Sequence, residues 1–476
     1  MATGYQYDAI VIGSGPNGLA AAIVLQQQGL SVLLIEGKDT IGGGMRTAEL
    51  TLPGCWSDIC SAVHPMAAGS PFFQQLPLEQ FGLEYINPPV LAAHPLDNGT
   101  ASVLKHSLTE TAELLGADKK TYTDLLGQIA EIWPGIAQDV LGPLHLPKRP
   151  FDMARFGLKA LQSATTLAKK FKTTEAKALF AGMAAHSMLP LDVPTTAAVG
   201  LVLSVNGHLK GWPIVKGGSQ NLANALAAYF ISLGGKIQTG WMVKSLKELP
   251  SAKAILFDTS PKQLLEIAGD KLPSSYHRQL KKFRYGMGIF KVDWALDGPV
   301  PFTAPECREA GTVHIGGTIE EIARSEKETA ERKLTDKPFV LVAQQSLFDT
   351  SRVPEGKQTV WAYCHVPNGF MADRTDAIEN QVERFAPGFK DRIIARHTYN
   401  AVQMQNYNPN YIGGDINGGV LDLRQLFTRP TMRVSPYTTP ANDIYICSAS
   451  TPPGGGVHGM CGYYAAKRVL KDHFGK

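Results

Sequence analysis

Two groups of residues at opposite ends of the chain could do cofactor chemistry together. Near the start, Tyr7-Asp-Ala-Ile-Val-Ile-Gly13-Ser-Gly15-Pro16-Asn17-Gly18 runs from an apolar segment into a glycine loop and an alanine-rich helical stretch. Near the end, Asp443-Ile-Tyr-Ile-Cys-Ser-Ala-Ser450-Thr-Pro-Pro-Gly454-Gly455-Gly456-Val457-His458-Gly459 repeats the scheme of strand, loop and helix. In the first group Gly13 permits a tight turn, Gly15 lets the backbone approach a pyrophosphate, and Gly18 lets the helix pack on its strand. A helix over residues 17–28 would aim its amide ends and positive dipole at the phosphates. A second strand over residues 31–35 leads to Glu36, 18 residues after Gly18. That spacing suits an acid that accepts both hydroxyls of an adenosine ribose. The two groups predict a chain that folds back to close around a dinucleotide.

The next segment selects a flavin. Gly42-Gly43-Gly44-Met45-Arg46-Thr47 resembles the GG-x-R-[ST] motif that follows the second strand in many flavin oxidoreductases. Glycine amides reach the pyrophosphate there, and Arg46 supplies a fixed positive charge. FAD is the expected cofactor. Cys55-Trp-Ser-Asp-Ile-Cys60 has the C-x4-C spacing of flavin disulfide reductases, but Cys55 comes 11 residues after Gly44. The middle of the chain also lacks a second Rossmann glycine motif for a nicotinamide donor. The two cysteines therefore read as small, partly buried thiols. No cluster of His and Cys has metal-site spacing, so no metal is expected.

At the far end, Gly454, Gly455 and Gly456 would let the backbone pass under the isoalloxazine ring. A helix starting near Val457 would aim its amides at the N1–C2 side of the ring and favour an anionic reduced flavin. His458 is the titratable side chain of this block. It reads either as a proton acceptor near the ring or as a loop histidine hydrogen-bonded to backbone. His64, His314 and His365 are further candidates.

These residues need a scaffold. At 476 residues the chain exceeds the ~250–300 at which one core stops growing, which predicts two domains. Hydrophobic residues make up 44% and charged residues 18%, an ordinary soluble composition. A net charge of +4 without a dense Lys/Arg stripe argues against nucleic acid. No run approaches the ~18 apolar residues of a membrane span, and the start reads without a cleavable leader. Six cysteines in a chain this long form no disulfide framework, so a reducing cytosol is expected.

After Pro71 the pattern turns to helices and loops. Residues 155–172 read as a basic helix, with apolar or small residues at helical spacing from Phe151 through Leu158 and Leu161 to Ala168 and Phe171. Between Lys148 and Lys172 seven basic residues accompany one acid, Asp152. Such a helix either rests on an anionic membrane surface, giving a peripheral contact through 148–172, or packs on the domain with its basic face solvated. A turn at Gly217 and Gly218 leads into a helix over 221–232, then paired short strands over 236–246 and a strand over 254–258. Strands over 286–293, 339–343 and 359–365, with a charged helix over 319–334 between them, predict an antiparallel sheet with helices on one side. Such a sheet can floor a substrate pocket.

Nearly end to end, these segments resemble the phytoene-dehydrogenase-like flavoproteins. They are most similar to the branch whose animal members carry a pyridine-nucleotide-disulfide-oxidoreductase name. Besides the two glycine motifs, the resemblance rests on Gly211-Trp-Pro, Phe290-Lys-Val-Asp-Trp-Ala-Leu-Asp-Gly-Pro-Val-Pro301, Gly311-Thr-Val-His314-Ile-Gly-Gly, Pro354-Glu-Gly-Lys and Tyr363-Cys-His365-Val-Pro367. Ser448 departs from it, standing where the family has Gly. The resemblance implies an α/β fold with a glutathione-reductase-type FAD-binding Rossmann domain in three segments, 1–70, 206–284 and 416–476. An α+β substrate domain, an antiparallel sheet plus helices, would be inserted as 71–205 and 285–415. FAD would be held by Gly13, Gly15, Pro16, Asn17, Gly18, Glu36, Gly43, Gly44, Arg46, Thr47, Ser450, Gly454, Gly455, Gly456 and Val457, with Val243 touching adenine through its backbone.

The implied activity is a dehydrogenase, desaturase or isomerase acting on a lipophilic, polyene or isoprenoid substrate by hydride transfer to flavin N5. Electrons would then pass to oxygen or quinone. An amine-oxidase-like flavoenzyme shares the amino-terminal motifs. It would show a Lys near N5 and an aromatic pair facing the ring, for which Tyr463 and Tyr464 are candidates. A flavin-loaded scaffold working through a partner is the third reading.

Overall fold

The computed structural model describes residues 4–476. Five short strands form one parallel sheet in the order Ile444–Ile446, Ala252–Phe257, Tyr7–Ile12, Val32–Ile35, Lys236–Gln238. The three central strands are almost continuously apolar because helices cover both faces. On one face Leu19, Ile23, Leu226, Phe230 and Val469 bring together the helices Pro16–Gln26, Gln220–Ser232 and Met460–Phe474. On the other, Ile10, Phe257, Leu264 and Tyr276 pack with the helices Pro261–Ala268 and Ser274–Leu280. The first and last helices of the chain's first face sit so close that a Cβ on Gly462 would lie 1.8 Å from the Asn17 carbonyl oxygen.

Residues 236–246 do not form paired strands. Lys236–Gln238 pairs in parallel with Val32–Ile35. The chain then turns back, because Gly240 N–H donates to Lys38 O and Trp241 N–H to Glu36 O. Residues 72–83, placed by sequence in the insert, contribute Phe72, Phe73, Leu76, Leu78 and Leu83 to the core around the glycine-loop helix.

The second sheet has seven strands, in the order Ile393–Tyr399, Gly288–Leu296, Gln358–Val366, Val340–Ala343, Ala310–Ile315, Val90–Pro95, Ala101–Leu104. It is antiparallel except where Ala310–Ile315 runs parallel to Val90–Pro95. Period-two alternation sorts its side chains. Val360, Ala362, Cys364 and Val366 face a core with Phe385 and Phe389, whereas Trp361 and Tyr363 face the opposite way, toward Met188 and Leu341. A helical layer that includes Gln128–Val140, Thr174–Ala185 and Thr196–Lys210 packs around Leu91, Leu104 and Phe339 of this sheet region.

The expected basic helix over 155–172 is interrupted. Helices span Pro150–Ala160 and Ala164–Ala168, and Ser163 caps the second by accepting from Thr166 N–H. Ala168 and Phe171 are buried, while Phe151, Leu158 and Leu161 face solvent, so these positions do not form one apolar stripe.

Candidate active site

A cavity of about 870 Å³ joins the two glycine segments. Its lining includes Gly13, Gly15, Pro16, Asn17, Glu36, Gly43, Gly44 and Arg46 from the start of the chain, Val243 from the middle, and Ser450, Gly455, Gly456 and Val457 from the end. The glycine-loop helix starts at Gly15 and Pro16 with no side-chain cap and no acid in its first turn. Apart from the Gly18 N–H, which donates to Asp258, that leaves its amide end and dipole for an anion. The glycines are steric requirements. A Cβ on Gly18 would lie 2.0 Å from Gly13 O, one on Gly15 would lie 2.7 Å from Asp258 Oδ2, and one on Gly43 would lie 2.9 Å from Gly15 Cα. Backbone thus approaches backbone along one side of a channel that ends at an acid suited to a ribose.

That acid, Glu36, is held in place. Its carboxylate accepts from Ser14 N–H and Ser14 Oγ and from Lys38 N–H, and it pairs with Arg46 at 3.0 Å. Arg46 also donates to the carbonyls of Thr40 and Gly43. The guanidinium therefore braces the glycine turn as well as offering charge to the cavity.

Three predicted cofactor residues stand behind the lining. Gly18 serves as the close approach just described. Thr47 Oγ1 donates to Asp58 Oδ1 at 2.7 Å and accepts from Gln220 N–H. Gly454, at φ +117°, packs against Leu421 and Arg429. The carboxyl-terminal helix begins at Met460, three residues later than expected. Ser448, the departure from the family pattern, shares a hydrogen bond with Ser450 Oγ at 2.7 Å.

His458 faces away from the cavity. It is buried, its Nδ1 accepts from Met460 N–H, and its carbonyl accepts from Ser70 Oγ. Burial pushes its pKa down to about 4, partly countered by contacts with the Gly455 and Gly454 backbone. It caps the final helix as a neutral ring. His365 is likewise bound, to buried Glu326 at 2.7 Å. His64 does line the cavity, and its Nε2 meets Ser219 Oγ at 2.8 Å. His314 lies behind the wall and hydrogen-bonds the Nε2 of His186, a cavity-lining residue that no sequence pattern marks. Burial first, then the nearby His365, lowers His186 to about 3, so it presents a neutral imidazole.

Cys55 and Cys60 are free thiols, both raised in pKa by burial, and Cys60 lies against Tyr411. Tyr463 and Tyr464 do not face the cavity, since Tyr464 Oη donates to Gln138 O and Tyr463 packs on Phe72. The aromatic pair that does face it is Trp361 and Tyr363, stacked with centroids 5.6 Å apart and an interplanar angle of 22°. Lys291 is buried behind Trp361 and ion-paired with Asp293.

Asp258, at the end of the strand expected over 254–258, has a role that its sequence context did not assign. It is the buried acid at the glycine loop, accepting from Gly18 N–H at 2.9 Å. Burial raises its pKa from 3.8 to about 7 against the pull of the Gly18 and Gly15 amides, and the charge of Glu36 adds to the rise. The stabilisation from the neutral carboxyl is full below its unfolded value and is lost as pH rises through about 7. An anionic pyrophosphate beside it favours the neutral form further. We therefore predict that the Kd for FAD rises several-fold between roughly pH 6 and roughly pH 8, and that Asp258→Asn flattens the profile. Flavin fluorescence titrations across that range check this, and a flat wild-type profile would refute it.

Residues 17–264 match the model of the flavin containing amine oxidoreductases, just over half of the chain. The chain belongs to that family. Its cofactor is FAD, and the cradle of glycine backbones with Glu36 at its end fits the group. A mouse protein named pyridine nucleotide-disulfide oxidoreductase domain-containing protein 2 is 25% identical over 98% of this chain and 94% of its own length. A limonene dehydrogenase component from Castellaniella defragrans is 23% identical over 98% of this chain and 95% of its own. Putrescine oxidase bound to putrescine superposes with a TM-score of 0.62 at 17% identity, covering 98% of this chain and 99% of that one. The likeness establishes a flavin amine oxidoreductase α/β fold, here with a parallel sheet beside a mixed one.

Proposed function

We propose that this flavin amine oxidoreductase family member dehydrogenates a lipophilic substrate of polyene or isoprenoid type. The observation that carries the reading is the chemistry of the cavity beyond the cofactor cradle. Its walls there come from Met66, Met153, Phe156, Val199, Leu341 and Trp361. Among the described residues three acids line the cavity, and each is already engaged. Glu36 is paired with Arg46, Asp258 is at the glycine loop, and Asp139 is bound to His145 at 2.9 Å. An ammonium group would have to compete with those partners for a carboxylate, whereas a hydrocarbon gains about 25 cal/mol for each Å² it buries.

When bound, FAD would supply a two-electron acceptor for dehydrogenation of a substrate carbon. The chain contributes position. The stacked Trp361 and Tyr363 give a flat floor for a conjugated or allylic segment, and the aliphatic wall keeps water out. The neutral pair His186 and His314 places a hydrogen-bonding ring, rather than a charge, on that wall.

The test is anaerobic mixing of the FAD-loaded protein with terpenoid and polyprenoid lipids, with amines, and with NAD(P)H. Loss of the oxidised flavin absorbance with the lipids alone is the expected result. Loss with amines instead would overturn the proposal in favour of an amine-oxidase-like activity. A flavin that none of them reduces would leave a scaffold role.

A further inference from the structure

The cavity opens at the surface between two segments whose outward faces take no part in the chemistry. On the first, residues 144–161, Leu144, Leu146, Phe151, Leu158 and Leu161 are 48% to 93% exposed. On the second, residues 423–434, Leu423, Phe427, Met432 and Val434 face solvent. The two are tied together through Thr195, whose N–H donates to Leu161 O and whose Oγ1 donates to Leu421 O at 3.0 Å. Leu144, Leu161, Phe427 and Val434 also line the cavity, so apolar surface continues from the interior to the outside. Large apolar side chains clustered on a surface mark an interaction site.

The rim is basic. Lys148, Arg149, Arg155 and Lys159 stand on the first segment against Asp152 alone, and Arg424 and Arg433 stand on the second. Burial, and then the charges of Arg155 and Lys170 nearby, hold Lys159 below its ordinary pKa. A second copy docked face to face would set this rim against itself. Anionic lipid complements both the charge and the apolar cluster.

We propose that this mouth docks on an anionic bilayer, its leucines and phenylalanines entering the acyl boundary and its basic rim meeting lipid phosphates. The contact is peripheral, because no described helix is long and apolar enough to cross a membrane. What passes through the mouth rests on the lipophilic reading of the cavity, but the docking itself is read without turnover.

The test uses the full, FAD-loaded chain and sedimenting vesicles of phosphatidylcholine, alone or mixed with phosphatidylglycerol. Binding to the mixed vesicles that weakens with salt is expected, with little binding to phosphatidylcholine alone. Phe151→Glu with Leu158→Glu, two positions outside the cavity lining, should reduce binding at least about tenfold. Arg155→Ala should reduce it about fivefold. Unchanged flavin absorbance in each variant shows that the fold is kept. The proposal is overturned if the wild type ignores the mixed vesicles or if the doubly substituted variant binds as the wild type does. It is equally overturned if ultracentrifugation shows a dimer that this variant dissolves without any vesicle binding. Flavin reduction by detergent-solubilised lipids is read separately, so either reading can fail while the other stands.

Discussion

A Gly18→Ala variant is expected to lose FAD. The new methyl group would lie 2.0 Å from Gly13 O and 3.0 Å from Asp258 Oδ2. The first of these atoms is backbone in the tight turn and cannot swing aside. An ordinary overpacked methyl costs about 1–3 kcal/mol. Here the strain falls on the turn that shapes the phosphate cradle, and the helix can relieve it only by moving away from the loop. At the upper end of that range, FAD affinity falls roughly a hundredfold. Gly127→Ala is the control, since its methyl would meet only Thr123 Cγ2 at 3.9 Å. Flavin content of the purified variants and their FAD titrations decide the matter. Full flavin occupancy in Gly18→Ala would show that the contact relaxes at no functional expense.

The second large effect concerns Arg352, which is fully buried. Its guanidinium pairs with Asp58 at 2.6 Å and Asp349 at 3.0 Å and donates to Val215 O at 2.6 Å. Asp58 in turn accepts from Ser219 N–H and Thr47 Oγ1, and Asp349 accepts from Gly217 N–H. One cation therefore joins the short strand after the glycine turn, the turn before the helix Gln220–Ser232, and a loop of the seven-stranded region. Arg352→Met would leave two buried carboxylates without their counter-charge, a loss of about 3–5 kcal/mol. Asp58→Asn, which leaves Arg352 its other partners, should be milder. Urea unfolding followed by circular dichroism measures both. A loss below ~1 kcal/mol for Arg352→Met would show that the cluster does not hold these elements together.

The cofactor half of the site was legible because its signals are local. The turn at Gly13, the end of the strand at Glu36 and the loop at Gly454, Gly455 and Gly456 each declare themselves within a few residues of an apolar run. Where position depended on packing, spacing alone misled. His458 looked available, but the start of the final helix needs an acceptor for Met460 N–H and takes its imidazole. The spacing from Phe151 to Phe171 suited a helix, yet Ser163 caps a new one and turns Phe171 inward. The apolar cavity walls were hardest to see, because they assemble from residues near 66, 156, 199, 341 and 361, which meet only in three dimensions. His186 gave no signal, since the helix before it is buried nearly all round and carries no stripe. Asp258 was visible as an acid ending an apolar strand, a position that in open α/β sheets faces the ligand crevice.

The parallel sheet that carries the cofactor takes its strands from residues 7–12, 32–35, 236–238, 252–257 and 444–446. On a ribosome, the glycine loop therefore emerges more than 400 residues before the strand that completes its sheet. The nascent chain must carry Ile10, Leu33 and their apolar neighbours without their final cover while the whole middle is made. Long-range closure of this kind is slow and leaves sticky surface exposed. Cofactor capture thus belongs to the completed polypeptide. Both glycine segments line one cavity, so FAD that binds there would pull the population toward the closed form by mass action.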